Sequence, residues 1–110
     1  MKIKFKNNKL EKQLTEPKEI VRCFGLMAKK VVQRMAELKA AENLNVMRTI
    51  PAARCHELSG TRKGQLAVDI SPNFRLLFVP ANNPTPLKDD GGLNWILITD
   101  IEIITTEDYH

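Results

Sequence analysis

The sequence lacks an apolar run long enough to cross a membrane, since a transmembrane helix needs about 20 consecutive apolar residues. Its basic start, MKIKFKNNKLEK, is not followed by the apolar segment of a secretory signal peptide. It has only two cysteines, Cys23 and Cys55, which lie far apart and outside any metal-ligand spacing. Such thiols are typical of a reducing compartment. We therefore expect a cytoplasmic protein with no membrane partner.

Histidine is equally scarce, and His56 and His110 are the only residues that titrate near neutral pH unperturbed. No cluster of histidines and carboxylates has metal-ligand spacing, so the sequence predicts neither a metal nor another cofactor. Cys55 beside His56 resembles a nucleophile with its base. We discount that interpretation, because neighbouring strand residues face opposite sides and no third orienting group is apparent.

Positive charge is concentrated in the first part of the chain. Residues 1–63 contain 15 Lys and Arg against 6 Asp and Glu, whereas residues 64–110 contain 2 against 7. A basic half of this strength favours a polyanionic partner such as nucleic acid or the ribosome. The alternative is a solvated helix face whose lysines provide solubility. The length of 110 residues predicts one domain, residues 1–110.

Hydrophobic periodicity predicts a strand, one long helix and then several antiparallel strands. Residues 3–5 alternate apolar and basic side chains, as edge strands do, and residues 7–14 indicate a polar turn with one helical turn. An amphipathic helix is expected from residue 17 to about residue 41. Later segments are a tight turn at 71–73, a long surface loop at 80–92 and a strand over 95–105, interrupted at Thr99 and Asp100.

This order predicts an α+β domain in which an N-terminal strand and a long helix pack on a mainly antiparallel sheet. The helix would bury an apolar stripe formed by Ile20, Phe24, Met27, Val31, Met35 and Leu38. The sheet would bury Leu66, Val68, Ile70, Leu76, Phe78, Ile96, Ile98, Ile101 and Ile103. Trp95 is expected in the core or at an interface with a partner.

Four stretches stand in a recognisable order: HELSGTRKGQLAVDIS, NFRLLFVPAN, PLKDDGGLNWILITDIEII and the terminal EDYH. In this order the sequence resembles the RelE/ParE toxin superfamily, specifically the HigB-type killer proteins of bacterial type II toxin–antitoxin systems. The resemblance covers about residues 54–110 by motif and the rest by element order. It implies a compact fold of the microbial ribonuclease type.

The resemblance implies a toxin that inhibits translation. Members of the HigB branch enter the ribosomal A site and cut mRNA, and a helix-turn-helix antitoxin of the HigA type, encoded beside the toxin, neutralises them. The pair usually represses its own operon, so operator DNA is contacted only through the complex. The implied partners are this antitoxin, the 70S ribosome and mRNA.

The resemblance also implies a catalytic group made of Arg75, Asp108, Tyr109 and His110. The implied reaction is attack of an RNA 2′-hydroxyl on its own 3′-phosphate without a metal. His110 would be the general acid or base, and Arg75 would clamp phosphate oxygens. Tyr109 would stack on a base, and Asp108 would hold an arginine or the His110 ring. On an extended strand Asp108 and His110 share a face, which leaves Tyr109 as an alternative core residue.

The resemblance also implies a phosphate-binding set, Ser59, Arg62 and Lys63, which precedes the segment GQLAVDI. Arg62 matches a basic residue of the family, and Lys63 adds a nearby cation. Ser59 stands where the family often has a lysine, a departure that Lys63 would compensate. This departure favours one alternative, a non-catalytic module that binds antitoxin or RNA. The other alternative is a ParE-like gyrase poison, a branch that generally lacks a histidine-bearing cleavage cluster.

Overall fold

A computed structural model describes residues 1–108, and their strands form a single five-stranded sheet. The strands are β1 (Lys2–Phe5), β2 (His56–Glu57), β3 (Leu66–Ser71), β4 (Phe74–Pro80) and β5 (Asp100–Asp108). Their spatial order is β1-β5-β4-β3-β2. β1 runs parallel to β5, and the other neighbouring strands are antiparallel. The α+β class predicted from the sequence is confirmed.

The helical region after β1 is divided more finely than the sequence predicts. It contains α1 (Asn8–Thr15), α2 (Pro17–Phe24) and α3 (Ala28–Ala40). The segment predicted as one helix is interrupted by a 3₁₀ turn, Gly25–Met27. Gly25 closes α2 with φ +52° and ψ −119°, a conformation that a residue without a Cβ adopts readily. The apolar stripe continues across the turn, which is why its spacing conceals the break.

The first helix is also longer than the one turn that the sequence predicts. The Asn7 side chain accepts a 2.8 Å hydrogen bond from the Leu10 amide, which caps the N-terminus of α1. Leu10 and Leu14 then bury one face of α1 in the core. Capping and burial together stabilise a helix that its polar sequence alone would leave marginal.

The core lies between the helices and one face of the sheet, and it contains all of the predicted sheet residues except Ile96. Ile96 is 62% exposed because residues Trp95–Leu97 form a 3₁₀ turn, so the prediction of a strand beginning at residue 95 was wrong. The turn instead buries Trp95, whose Nε1 donates to Glu57 at 3.0 Å.

The connections between the strands agree with the predicted turns. The tight turn at 71–73 joins β3 to β4, and residues 81–94 form the long connection that follows β4. Within residues 1–108, no helix has both the length and the apolar character needed to cross a bilayer.

Candidate phosphate-binding site

The face of the sheet opposite the helices carries charged side chains on β4 and β5. Arg75 lies opposite Glu107 in the antiparallel register, and directly opposed residues project on the same side of a sheet. Leu76, the neighbour of Arg75, is in the core, so Arg75 and Glu107 project away from the helices. Arg75 Nε donates to Glu107 Oε2 at 3.0 Å, and Arg75 Nη2 lies 3.0 Å from the same oxygen.

A β-bulge determines the face on which Glu107 lies. Around Ile104 the register advances two residues in β5 for one in β4, so Ile104 is the extra residue. Ile101 and Ile103 are buried in the core, and uninterrupted alternation would place Glu107 on that same side. The bulge therefore transfers Glu107 to the face that carries Arg75.

The loop between β2 and β3 supplies a second arginine to this face. The amide of Leu58 donates to the carbonyl of Gln65 at 2.9 Å, which holds the ends of the loop together. The 3₁₀ turn Gly60–Arg62 lies within this loop. Arg62 Nη1 donates to Glu107 Oε2, across 45 residues of sequence. Arg62, Arg75 and Glu107 together form an arginine–glutamate cluster.

The cluster is partly shielded from water, and its three side chains carry two positive charges and one negative charge. The side chains of Arg75, Glu107 and Arg62 are 13%, 21% and 42% exposed. The hydrogen bond from Arg62 lowers the pKa of the Glu107 carboxyl below its ordinary value. Desolvation opposes this effect, and the hydrogen bond from Arg75 adds to it. The bond to Glu107 in turn raises the pKa of the Arg62 guanidinium. Two guanidiniums thus share one carboxylate at neutral pH.

The structure brings two of the predicted site residues, Arg62 and Arg75, into one cluster. Ser59 and Lys63 lie at the two ends of the 3₁₀ turn that carries Arg62, and both are exposed. Both residues are therefore close in sequence to Arg62, and both are accessible to a large ligand.

The C-terminal residues of the predicted catalytic group are only partly described. Asp108 pairs with Phe74, whose ring packs edge-on against Phe24 of α2 with 5.8 Å between the ring centres. Alternation therefore places Asp108 on the face opposite to that of Glu107. Tyr109 and His110 lie outside the described residues.

Glu107 is the member of the arginine–glutamate cluster that sequence reasoning missed. The terminal motif drew attention to the three residues after it, and a regular strand would have directed Glu107 into the core. The available signal was the pair Ile103 and Ile104, because two adjacent apolar residues interrupt the alternation of the strand and are typical of a bulge.

Cys55 and His56 do not form a reactive pair in this structure. Burial raises the pKa of the Cys55 thiol to about 12, so the nucleophilic thiolate is scarce at neutral pH. His56 Nδ1 lies 2.6 Å from the backbone carbonyl of Arg54. Within residues 1–108, no group of three or more His, Cys, Asp or Glu side chains is arranged to hold a metal ion.

A second set of charged residues lines a cleft of about 520 Å³ between α3 and β3. Buried Arg34 donates from Nε to the backbone carbonyl of Asp69 at 2.7 Å. Arg54 donates from Nε to the Asp69 carboxylate at 2.7 Å. These bonds join α3 and residue 54 to β3, which is a structural role for both arginines.

The fold has counterparts among solved structures. No protein-family model matches the sequence, and no curated protein matches it. The YoeB/ParE toxin from Agrobacterium tumefaciens is similar with a TM-score of 0.54 at 12% identity, covering 100% of both chains. The YoeB–YefM complex from Staphylococcus aureus is similar with a TM-score of 0.53 at 16% identity, covering 100% of this chain and 97% of that chain. The chain therefore shares its fold with these two toxin structures.

Proposed function

We propose that this protein is the toxin of a type II toxin–antitoxin system and an mRNA endonuclease of the HigB type that acts on the ribosome. The observation that supports the proposal is the convergence of Arg62 and Arg75 on one oxygen atom, on a face of the sheet that the helices leave uncovered. Guanidinium groups match the geometry and charge of phosphate oxygens. The residues that follow this cluster in the sequence are Asp108, Tyr109 and His110.

In the proposed reaction, the 2′-oxygen of a nucleotide forms a bond to the adjacent phosphorus and the bond to the 5′-oxygen breaks. A base takes the proton of the 2′-hydroxyl, and an acid gives a proton to the leaving oxygen. His110 performs one of these transfers, a role typically worth about 10²–10⁴-fold. Arg62 and Arg75 stabilise the charge that develops on the phosphorus-bound oxygens, a mechanism that needs no metal.

The remaining predicted residues, apart from Asp108, have supporting roles in this proposal. Lys63 and Ser59 contact the RNA backbone beside the scissile phosphate, and Tyr109 stacks on a base. Asp108 lies on the opposite face of β5 from the arginine–glutamate cluster, so this proposal gives it no contact with the scissile phosphate. The basic surface of residues 1–63 favours approach to the ribosome, whose RNA is a polyanion.

We further propose that a protein antitoxin of the HigA type neutralises the toxin. The Staphylococcus aureus structure with this fold is that of a complex. An apolar groove of about 600 Å³ lies between β1 and the helices, with Ile3, Phe5 and Met35 in its walls. Lys2 and Lys39 also line it, so an antitoxin segment with apolar and acidic side chains would fit. Co-purification of the toxin with the product of the neighbouring gene tests this partnership.

The decisive experiment is 5′-end mapping of an mRNA translated on purified ribosomes, with and without the protein. A parallel reaction contains the same mRNA without ribosomes. Cuts within codons that require both protein and ribosomes are the expected result. Intact mRNA in every lane, from a protein that still arrests growth, would contradict the proposal. A gyrase assay then follows, because the Agrobacterium tumefaciens structure bears both the YoeB and the ParE names; trapped gyrase cleavage complexes would favour a ParE-like poison.

A further inference from the structure

The arginine–glutamate cluster leads to an inference that rests on the proposed function and specifies how the site receives its substrate. We propose that Glu107 is a positioning residue that occupies the phosphate position between Arg62 and Arg75 and leaves it when a phosphate group of the RNA binds. The carboxylate would then act as an internal stand-in for the phosphate, which keeps the two cations together in the free protein.

The geometry of the contacts supports an exchange. Arg75 Nε and Nη2 and Arg62 Nη1 all meet Oε2 of Glu107, so one oxygen receives both guanidiniums. The preferred pairing of a guanidinium with a carboxylate is a bidentate fork that uses both oxygens. A phosphate group presents several oxygens and more charge, so it offers the two arginines a better set of acceptors than one shared carboxylate oxygen.

The two arginines also need an anion between them for an electrostatic reason. Two guanidiniums that approach the same atom repel each other unless a negative charge lies between them. Arg62 lies on a loop whose Gly60 and Gly64 have φ values of +66° and +93°, where side chains are rarely tolerated. Glu107 joins this loop to β5 and so holds Arg62 near Arg75.

Proton transfer is a poor alternative role for Glu107. An effective general base has a pKa near the working pH. The two arginines lower the pKa of the Glu107 carboxyl instead, which weakens it as a base. The carboxylate therefore acts on the arginines rather than on the reacting atoms.

The test measures the affinity of the folded protein for inorganic sulfate, by NMR titration at fixed low ionic strength and neutral pH. Glu107→Gln keeps an oxygen that accepts hydrogen bonds from both arginines but removes the competing charge. Glu102→Gln is the matched control, because it makes the same charge change on β5, where Glu102 pairs in register with Lys4 and Val79 rather than with Arg75. Ion pairs that are partly open to solvent are individually weak, so we expect Glu107→Gln to bind sulfate about 3- to 10-fold more tightly. Glu102→Gln should change the affinity less than about 2-fold.

Unchanged or weaker sulfate binding by Glu107→Gln would overturn the inference, as would an equal gain in Glu102→Gln. Adding Arg75→Gln to Glu107→Gln should abolish the gain, and a gain that persists would show that sulfate binds elsewhere. In mRNA cleavage, Glu107→Gln should lower KM with little change in kcat, whereas a collapse of kcat would indicate direct participation in the chemistry. Sulfate binding needs no ribosome, so the exchange can be verified even if the wild-type protein cuts no mRNA.

Discussion

Replacing Arg75 with Gln is expected to reduce mRNA cleavage far more than replacing Arg62 with Gln. Both guanidiniums meet the same oxygen, but Arg75 projects from the inner strand β4 and is 13% exposed. Arg62 lies on a loop and is 42% exposed. A fixed and partly desolvated charge stabilises a transition state more than a mobile, solvated charge does.

Because Arg75 and Arg62 differ in exposure, we expect different losses of cleavage activity when each is replaced. Loss of a preorganised donor to a transition-state oxygen typically costs about 10²–10³-fold in kcat, and we expect this range for Arg75→Gln. Solvent screens an exposed charge, so we expect a much smaller loss, less than about 10-fold, for Arg62→Gln. Because both side chains share Glu107, the double variant should lose less activity than the product of the single losses.

The assay is single-turnover cleavage of mRNA on programmed ribosomes, followed by primer extension. Arg22→Gln is the matched control, because Arg22 is an exposed arginine of α2 that forms an ion pair with Glu19 on the helical side of the molecule. At saturating toxin, where approach to the ribosome does not limit the rate, it should cleave at the wild-type rate. Equal losses for Arg62→Gln and Arg75→Gln, in variants with wild-type melting temperatures, would refute the argument from preorganisation.

Three other outcomes are expected. His110→Ala should abolish cleavage without changing the melting temperature, and a fully active variant would contradict its assignment as acid or base. Phe78→Ala, at a fully buried position, should lower the free energy of unfolding by about 3–5 kcal/mol, whereas Ile96→Ala, at an exposed one, should change it by less than about 0.5 kcal/mol in urea titrations. The folded-state pKa of Glu107 is lowered from an ordinary value of 4.5, so its stabilising effect is present above that value and is lost as the pH falls through the folded-state pKa. The advantage of wild type over Glu107→Gln in thermal melts should therefore shrink as the pH falls below 4.5; an advantage that stays constant across that fall would argue against this linkage.

Local patterns were sufficient to predict most of the elements. Alternation and turn chemistry identified β3, β4 and the turn between them, and helical spacing identified the apolar stripe through α2 and α3. The break at Gly25 escaped prediction because the stripe keeps its spacing across the turn. The strand expected at residue 95 failed because Trp95 is buried from a 3₁₀ turn, and side-chain apolarity alone does not distinguish the two geometries.

The candidate site was less predictable because its contacts are long-range. Arg75 and Arg62 were identified by their motifs, but their common partner is Glu107, which lies 45 residues beyond Arg62. Its orientation depends on the bulge at Ile104, a feature of the pairing between two strands rather than of either one. The parallel pairing of β1 with β5 likewise depends on the whole topology.

The position of β5 in the sheet has a consequence for the order of folding. It is the last strand along the chain, yet it lies between β1 and β4. Until it inserts, β1 has no strand neighbour and β4 is an unpaired edge, so the sheet exists as two separate parts. Contacts between strands so distant in sequence form late, because loop closure must precede them. Because β5 also delivers Glu107, a chain that has not completed this step has an incomplete sheet and an unassembled arginine–glutamate cluster, so the site appears only when folding is finished.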